Sequence, residues 1–137
     1  MQKIIFTLLL AFCFIFLKAQ TPKISFFVAG INITPKTLSE KTKPVVIRLD
    51  ELLKYKKFNL SDTSFVVEKY TFSIYVGKVL KEFKENGNTL SDEIIEELND
   101  LKESKEKKFN VYLQEIVASN RDDKDIKVPD EKFILEK

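Results

Sequence analysis

The chain has 137 residues, 44% of them hydrophobic and 32% charged, with a formal net charge of +2. Two lysines among the first 19 residues account for that charge: without them 21 basic residues face 21 acids, so no cationic excess remains to drive nucleic-acid binding. The lone cysteine, Cys13, falls in the same stretch, and the 118 residues after it contain no Cys, His or Trp, which excludes disulfides, Cys/His metal centres, thiol catalysis and His-based triads.

Met1-Gln2-Lys3 is a short basic start, residues 4–17 are apolar apart from Thr7, and Lys18-Ala19-Gln20 follows. This is the tripartite form of a secretory signal peptide over residues 1–19, with small Ala19 placed before the cut and Gln20 after it. The apolar run of 14 residues is shorter than the roughly 20 that span a bilayer, so no stable membrane span is expected once the leader is removed. An exported chain without cysteine suits a bacterial periplasm or cell envelope, or release to the medium. Residues 20–137 have the length of one domain, with 34–44 as a long surface loop.

In chain order, residues 23–28 predict a strand, bent at Gly30 and continued over 31–34. Residues 45–49 predict a short strand, with Asp50 as N-cap of a single turn over 51–53. The clearest period-two signal sets Tyr70, Phe72, Ile74 and Val76 against Thr71, Ser73, Tyr75 and Gly77, one set buried and the other towards solvent. Phe65 and Val67 belong to that strand or to one just before it. Gly77 marks a turn or bulge, and residues 79–83 return antiparallel. Asn86-Gly87-Asn88 is a turn, after which the period changes. Ser91 fits an N-cap, and Asp92 and Glu93 suit the positive end of the helix dipole. Ile94, Ile95, Leu98 and Leu101 share a face while Glu96, Glu97, Asn99 and Asp100 point away, giving one amphipathic helix over about 91–103. Residues 104–108 form a charged connector. Phe109, Val111 and Leu113 alternate with Asn110, Tyr112 and Gln114, and Ile116-Val117 breaks the alternation as a β-bulge would. Residues 120–123 read as a hairpin loop and 128–135 as a last strand, with Pro129 at its start or on a sheet edge. Five to seven strands with one helix make an α+β, β-rich, antiparallel sandwich-like domain.

Glycines stand only at 30, 77 and 87, so neither a dinucleotide fingerprint nor a phosphate loop can be assembled, and no cofactor is expected. Glu96 and Glu97 project about 100° apart on a helix and do not face each other as an acid–base pair. Asp122, Asp123 and Asp125 lack the bending Gly and closing Glu of a calcium loop and read as a solvated turn, so no metal is expected. Ser104 and Lys107 have the Ser-x-x-Lys spacing of some hydrolases but sit in a charged run, with no pocket to lower a lysine pKa. No catalytic residue emerges, and the chain reads as a non-enzyme. The outward Tyr75 and Tyr112 are the candidate partner contacts, because tyrosine offers area and a hydrogen bond at small entropy cost.

The order of signals from residue 44 onward is distinctive. Val46-Ile47-Arg48-Leu49-Asp50-Glu51-Leu52-Leu53 leads to Phe58-Asn59-Leu60, then to Val66-Val67-Glu68-Lys69-Tyr70-Thr71-Phe72. Asn86-Gly87-Asn88-Thr89-Leu90-Ser91-Asp92-Glu93 opens the helix, and Phe109-Asn110-Val111-Tyr112-Leu113-Gln114-Glu115-Ile116 follows, with a Pro-containing closing strand. Over 44–137 this resembles the C-terminal domain of the GldM/PorM family, the periplasmic shaft proteins of gliding motility and type IX secretion. The resemblance implies a non-enzymatic protein-binding domain whose partner is an envelope or secretion-ring component, serving as an accessory of motility or secretion. That family carries a transmembrane helix and further domains ahead of this one. Here a leader stands in their place, so the expectation is a stand-alone domain that does not bridge two membranes. Composition and pattern leave two other readings open. One is a β-sandwich that binds envelope glycan or peptidoglycan, which calls for exposed aromatics on one face. The other is a small carboxylate hydrolase.

Overall fold

The computed structural model describes residues 24–35 and 43–137. The expected leader with its Ala19/Gln20 cut, and residues 36–42 of the expected loop, lie outside the described residues. Within them the chain is β-rich, with two sheets and two helices sharing one core. The first sheet is antiparallel: β1 (Phe26–Val28) lies between β2 (Ile31–Asn32) and β4 (Phe58–Leu60). The second comprises β3 (Val46–Arg48), β5 (Val66–Val76), β6 (Val79–Asn86), β7 (Lys108–Ser119), β8 (Asp125–Lys127) and β9 (Glu131–Glu136). Its order is β3-β9-β7-β5-β6, with β8 paired to the end of β7. The helices are α1 (Leu49–Tyr55) and α2 (Asp92–Asp100), the latter tightening into a 3₁₀ turn over Leu101–Glu103.

Local chemistry sets most of these boundaries. Ala29 and Gly30, both at positive φ (50° and 77°), make the two-residue β1–β2 turn, in the type I′ pattern whose twist matches the flanking strands. Gly77, at φ 62°, fills the first position of the two-residue β5–β6 turn. Ser91 caps α2: its Oγ accepts the Ile94 N–H at 3.4 Å and donates to Glu85 Oε1 at 2.6 Å. Ile94, Leu98 and Leu101 are buried and Ile95 is half-buried, as the helical spacing requires.

The structure departs from the sequence expectation at six places. Thr71 and Ser73, expected towards solvent, are buried, at 5% and 1% exposure. Nine strands are present among the described residues rather than five to seven, because β1/β2 and β8/β9 are short pieces separated by turns. The β3–β9 pair is parallel, the single exception to antiparallel pairing among the described strands. The turn after β3 is a seven-residue helix, and its N-cap is Arg48 rather than Asp50. Asp50 lies inside the first turn, where the Arg48 guanidinium, at 3.0 Å, holds its carboxyl below the ordinary carboxylate value. Glu97, expected to point to solvent, is half-buried and receives Lys81 Nζ of β6 at 2.6 Å. The last strand, expected over 128–135, begins only at Glu131: the Val128 N–H donates to Ile116 O, Pro129 lies before the strand, and an additional short strand, β8, precedes it, so that β8 and β9 pair with opposite ends of β7.

Two bulges shape the long strands that β8 and β9 join. Between the pairs Val67↔Ala118 and Thr71↔Gln114, β5 carries one extra residue at Glu68 and β7 one extra residue at Glu115, which sits at φ 51°. The inward set of β7 is Phe109, Val111 and Leu113 before the bulge, and Ile116 and Ala118 after it. In β5 it is Val67 before the bulge, and Tyr70, Phe72 and Ile74 after it. The Glu115 conformation is held from both sides: its N–H donates to Asp130 Oδ1 at 3.2 Å and its carboxylate accepts Thr71 Oγ1 at 2.9 Å.

Two polar contacts fix the pieces around this ribbon. Glu131, only 6% exposed, lies at the start of β9 and accepts Thr34 Oγ1 at 2.6 Å. Thr34 Oγ1 in turn accepts the Phe26 N–H at 2.8 Å, which ties the small sheet to the large one. The buried Tyr70 ring meets Phe58 edge-on at 4.9 Å, and its hydroxyl donates to Thr89 O at 2.6 Å. That bond pins the corner between β6 and α2, where Phe58 N–H also donates to Asn88 O and Leu90 N–H to Lys56 O.

Replacing Thr34 by Val strands the Phe26 N–H and removes the donor to Glu131, so it is expected to cost about 2 kcal/mol, with Glu131→Gln costing less. Urea denaturation, with an unchanged m value, checks this. Burial and the nearby Glu85 carboxylate raise the Tyr70 phenol above its ordinary pKa of about 10. A raised folded-state pKa means that this group's contribution is complete below pH about 10 and is lost as pH rises further. Tyr70→Phe is therefore expected to cost about 1 kcal/mol at neutral pH and to flatten the fall in stability above pH about 10, measured by urea unfolding across that range.

Candidate partner-binding face

One face of the large sheet packs on the core, and the other face is open among the described residues. Alternation places Ser73 and Tyr75 of β5 on the open face, and register then fixes their neighbours. Tyr112 of β7 lies opposite Ser73 and also opposite Lys132 of β9. Tyr75 lies opposite Leu80 of β6. The two tyrosines are therefore diagonal neighbours, and their rings meet edge-to-face, with centroids 6.1 Å apart and planes at 77°. Lys132 Nζ stands 5.9 Å from the Tyr112 ring centre, within cation–π range. Tyr75 is 40% exposed and Tyr112 is half-buried.

Small residues under these rings complete the patch. Ser73 is buried, and its Oγ lies 3.3 Å from both Glu82 Oε1 and Gln114 Oε1. Thr71, one pair further along, is buried beside Glu115. Val46 and Leu80 are exposed and Ile134 is half-buried. Val46 pairs with Ile134, and Ile134 with the exposed Asn110, so a row that is apolar at the β3 edge and polar at Asn110 runs beside the tyrosines. Alternation within single strands does not reveal that row. It depends on the parallel placement of β3 on β9 and on the register between strands far apart in sequence.

The other candidate groups are dispersed. Glu96 is exposed while Glu97 is engaged with Lys81. Ser104 Oγ accepts the Glu106 N–H, and Lys107 is exposed. In the 120–124 loop the Asn120 side-chain oxygen accepts the N–H groups of Asp122 and Lys124, both at 3.0 Å, which shapes the loop. Among the described residues, no three metal-ligating side chains cluster. No helix there is long and apolar enough to cross a membrane. Among the described residues Glu131 is the buried acid, and local spacing does not single it out as a site. Its burial is legible in the alternation that puts it on one face with Phe133 and Leu135.

No protein-family model matches the chain, and no curated protein matches it. The site therefore rests on its own geometry. If the two rings act as one patch, a double-mutant cycle on Tyr75→Ala and Tyr112→Ala should return a coupling of about 0.5 kcal/mol in unfolding free energy, the low end for aromatic pairs because both rings are partly exposed.

Proposed function

We propose that this chain is an exported, non-enzymatic domain that works by binding a protein of the cell envelope, with the open sheet face around Tyr75 and Tyr112 as the contact. The observation that carries this reading is the paired, partly exposed tyrosines flanked by Lys132, Leu80, Ile134 and Val46. Tyrosine is among the residues enriched in protein-binding hot spots. The N-terminal leader supports export, and the resemblance of residues 44–137 to the GldM/PorM terminal domain favours a secretion-ring component as the partner. The same aromatic pair is the feature that an envelope-glycan module calls for. Its edge-to-face arrangement weakens that second reading, because neither ring lies flat beside the other as a stacking platform.

The test is affinity capture with the tagged full chain from envelope extract of a bacterium that uses type IX secretion, followed by mass spectrometry. The expected result is a ring-associated protein whose recovery falls about tenfold or more with Tyr75→Ala/Tyr112→Ala, at unchanged circular dichroism. Equal recovery by the variant would overturn the assignment of this face. Sedimentation with purified peptidoglycan, lost in the same variant, would favour the glycan reading instead.

A further inference from the structure

We propose that β6 is a self-pairing edge, through which two copies of this chain join antiparallel about a two-fold axis at Phe83 into one continuous sheet. This inference stands apart from the partner-binding reading, since it uses the sheet's edge rather than its face. Among the described strands, β6 pairs with β5 alone, and nothing pairs with its other side. The Val76↔Val79 pair closes a two-residue hairpin and is therefore a hydrogen-bonded pair. Alternation from it sends the backbone groups of residues 79, 81, 83 and 85 towards β5 and leaves those of Leu80, Glu82, Lys84 and Asn86 facing the free edge.

The sequence of that edge, Lys81-Glu82-Phe83-Lys84-Glu85, is complementary to its own reverse. Centred on Phe83, antiparallel pairing sets Glu82 against Lys84 of the second copy on the open face, twice by symmetry. It sets Lys81 against Glu85 on the core face, also twice. The residues with free N–H and C=O groups then oppose one another: Glu82 with Lys84 and Leu80 with Asn86. Other registers fail. A slip of one residue puts bonding positions opposite non-bonding ones. A slip of two sets Glu82 against Glu82 or Lys84 against Lys84, and like charges directly opposite are destabilising. Charged edges ordinarily repel further strands, and here alternation of sign makes one register attractive. On the core face Lys81 already meets Glu97 at 2.6 Å and Glu85 receives Ser91 Oγ at 2.6 Å, so both side chains are held at the edge they would share. Phe83, half-buried with its ring 6.4 Å from Phe72, would have its open side covered by Phe83 of the second copy.

The experiment uses the full chain in a bacterial host, in a Cys13→Ser background, so that each introduced cysteine is the sole one. Phe83→Cys, at a non-hydrogen-bonded pair on the axis, should give a disulfide-linked dimer in whole cells treated with copper phenanthroline, read on a non-reducing gel. Val79→Cys, exposed but about 27 Å from its symmetry mate at 3.4 Å per residue, should not. Glu82→Lys, which makes two like-charge pairs, should weaken the purified dimer about tenfold in sedimentation velocity, and the swap Glu82→Lys/Lys84→Glu should restore it. Circular dichroism of each variant separates loss of pairing from loss of fold. A chain that stays monomeric at every concentration, equal cross-linking at 79 and 83, or a dimer indifferent to Glu82→Lys would each overturn the proposal.

Discussion

A strand alternates its side chains with a period of two, and it keeps one face apolar only while its phase holds. In this protein the two longest strands, β5 and β7, each lose that phase once, at the same point in the sheet. The extra residue at Glu68 is matched by the one at Glu115, so the register on either side is the same although both strands have switched inward sets. Val67 and Ala118 thus bury beside the same core as Phe72 and Leu113. Much of the molecule depends on this matched pair of bulges. It bends the ribbon, sends β8 and β9 to different halves of β7, and brings Asp130 within reach of the Glu115 N–H. Each bulge also has a polar clasp: Ser119 Oγ donates to the Glu68 carboxylate at 2.6 Å, and Thr71 Oγ1 to that of Glu115 at 2.9 Å. A carboxylate acceptor at each bulge offsets the local loss of ladder hydrogen bonding.

The same bend explains why the small sheet needs few contacts of its own. β1 and β4 contribute Phe26, Val28, Phe58 and Leu60 to the core, but all three strands of this sheet are two or three residues long. Sheets so short are marginal alone. They are held by side chains of the larger body: Glu131 through Thr34, and Tyr70 through the Phe58 ring and the 86–90 corner. A buried carboxylate is costly unless it is hydrogen-bonded. Its place between the sheets makes their relative position specific rather than merely apolar.

Period and capping made the centre of the fold legible in the sequence. The inward set Tyr70, Phe72 and Ile74, the Asn-Gly-Asn turn, the Ser91 cap and the broken alternation at Ile116 each correspond to an observed feature, because each is a local rule written in adjacent residues. What escaped reading was non-local. The β5 bulge leaves only a three-residue step from Val67 to Tyr70 as its trace. The capping position before α1 was misplaced because Asp50, a good capping residue by type, is bound by Arg48 within the first turn. The two tyrosines were legible as outward-facing, since alternation settles which face a residue takes. Their contact with each other and with Lys132 was not, because it needs the register among three strands.

The position of β9 has a consequence for how the chain acquires its structure. This strand follows all the others in sequence, yet it lies inside the sheet, parallel to β3 and antiparallel to β7, and it carries the carboxylate that reaches back 97 residues to Thr34. Until it arrives, β7 has one side unpaired over residues 108–113 and Ile47 has no neighbour strand. Closure must therefore follow synthesis of residue 136, at the kinetic cost of joining segments far apart in sequence. Before that point the β3–β9 and β7–β9 pairings and the Thr34–Glu131 bond are missing together, so a chain cut short of residue 131 loses one whole seam of the sheet at a stroke.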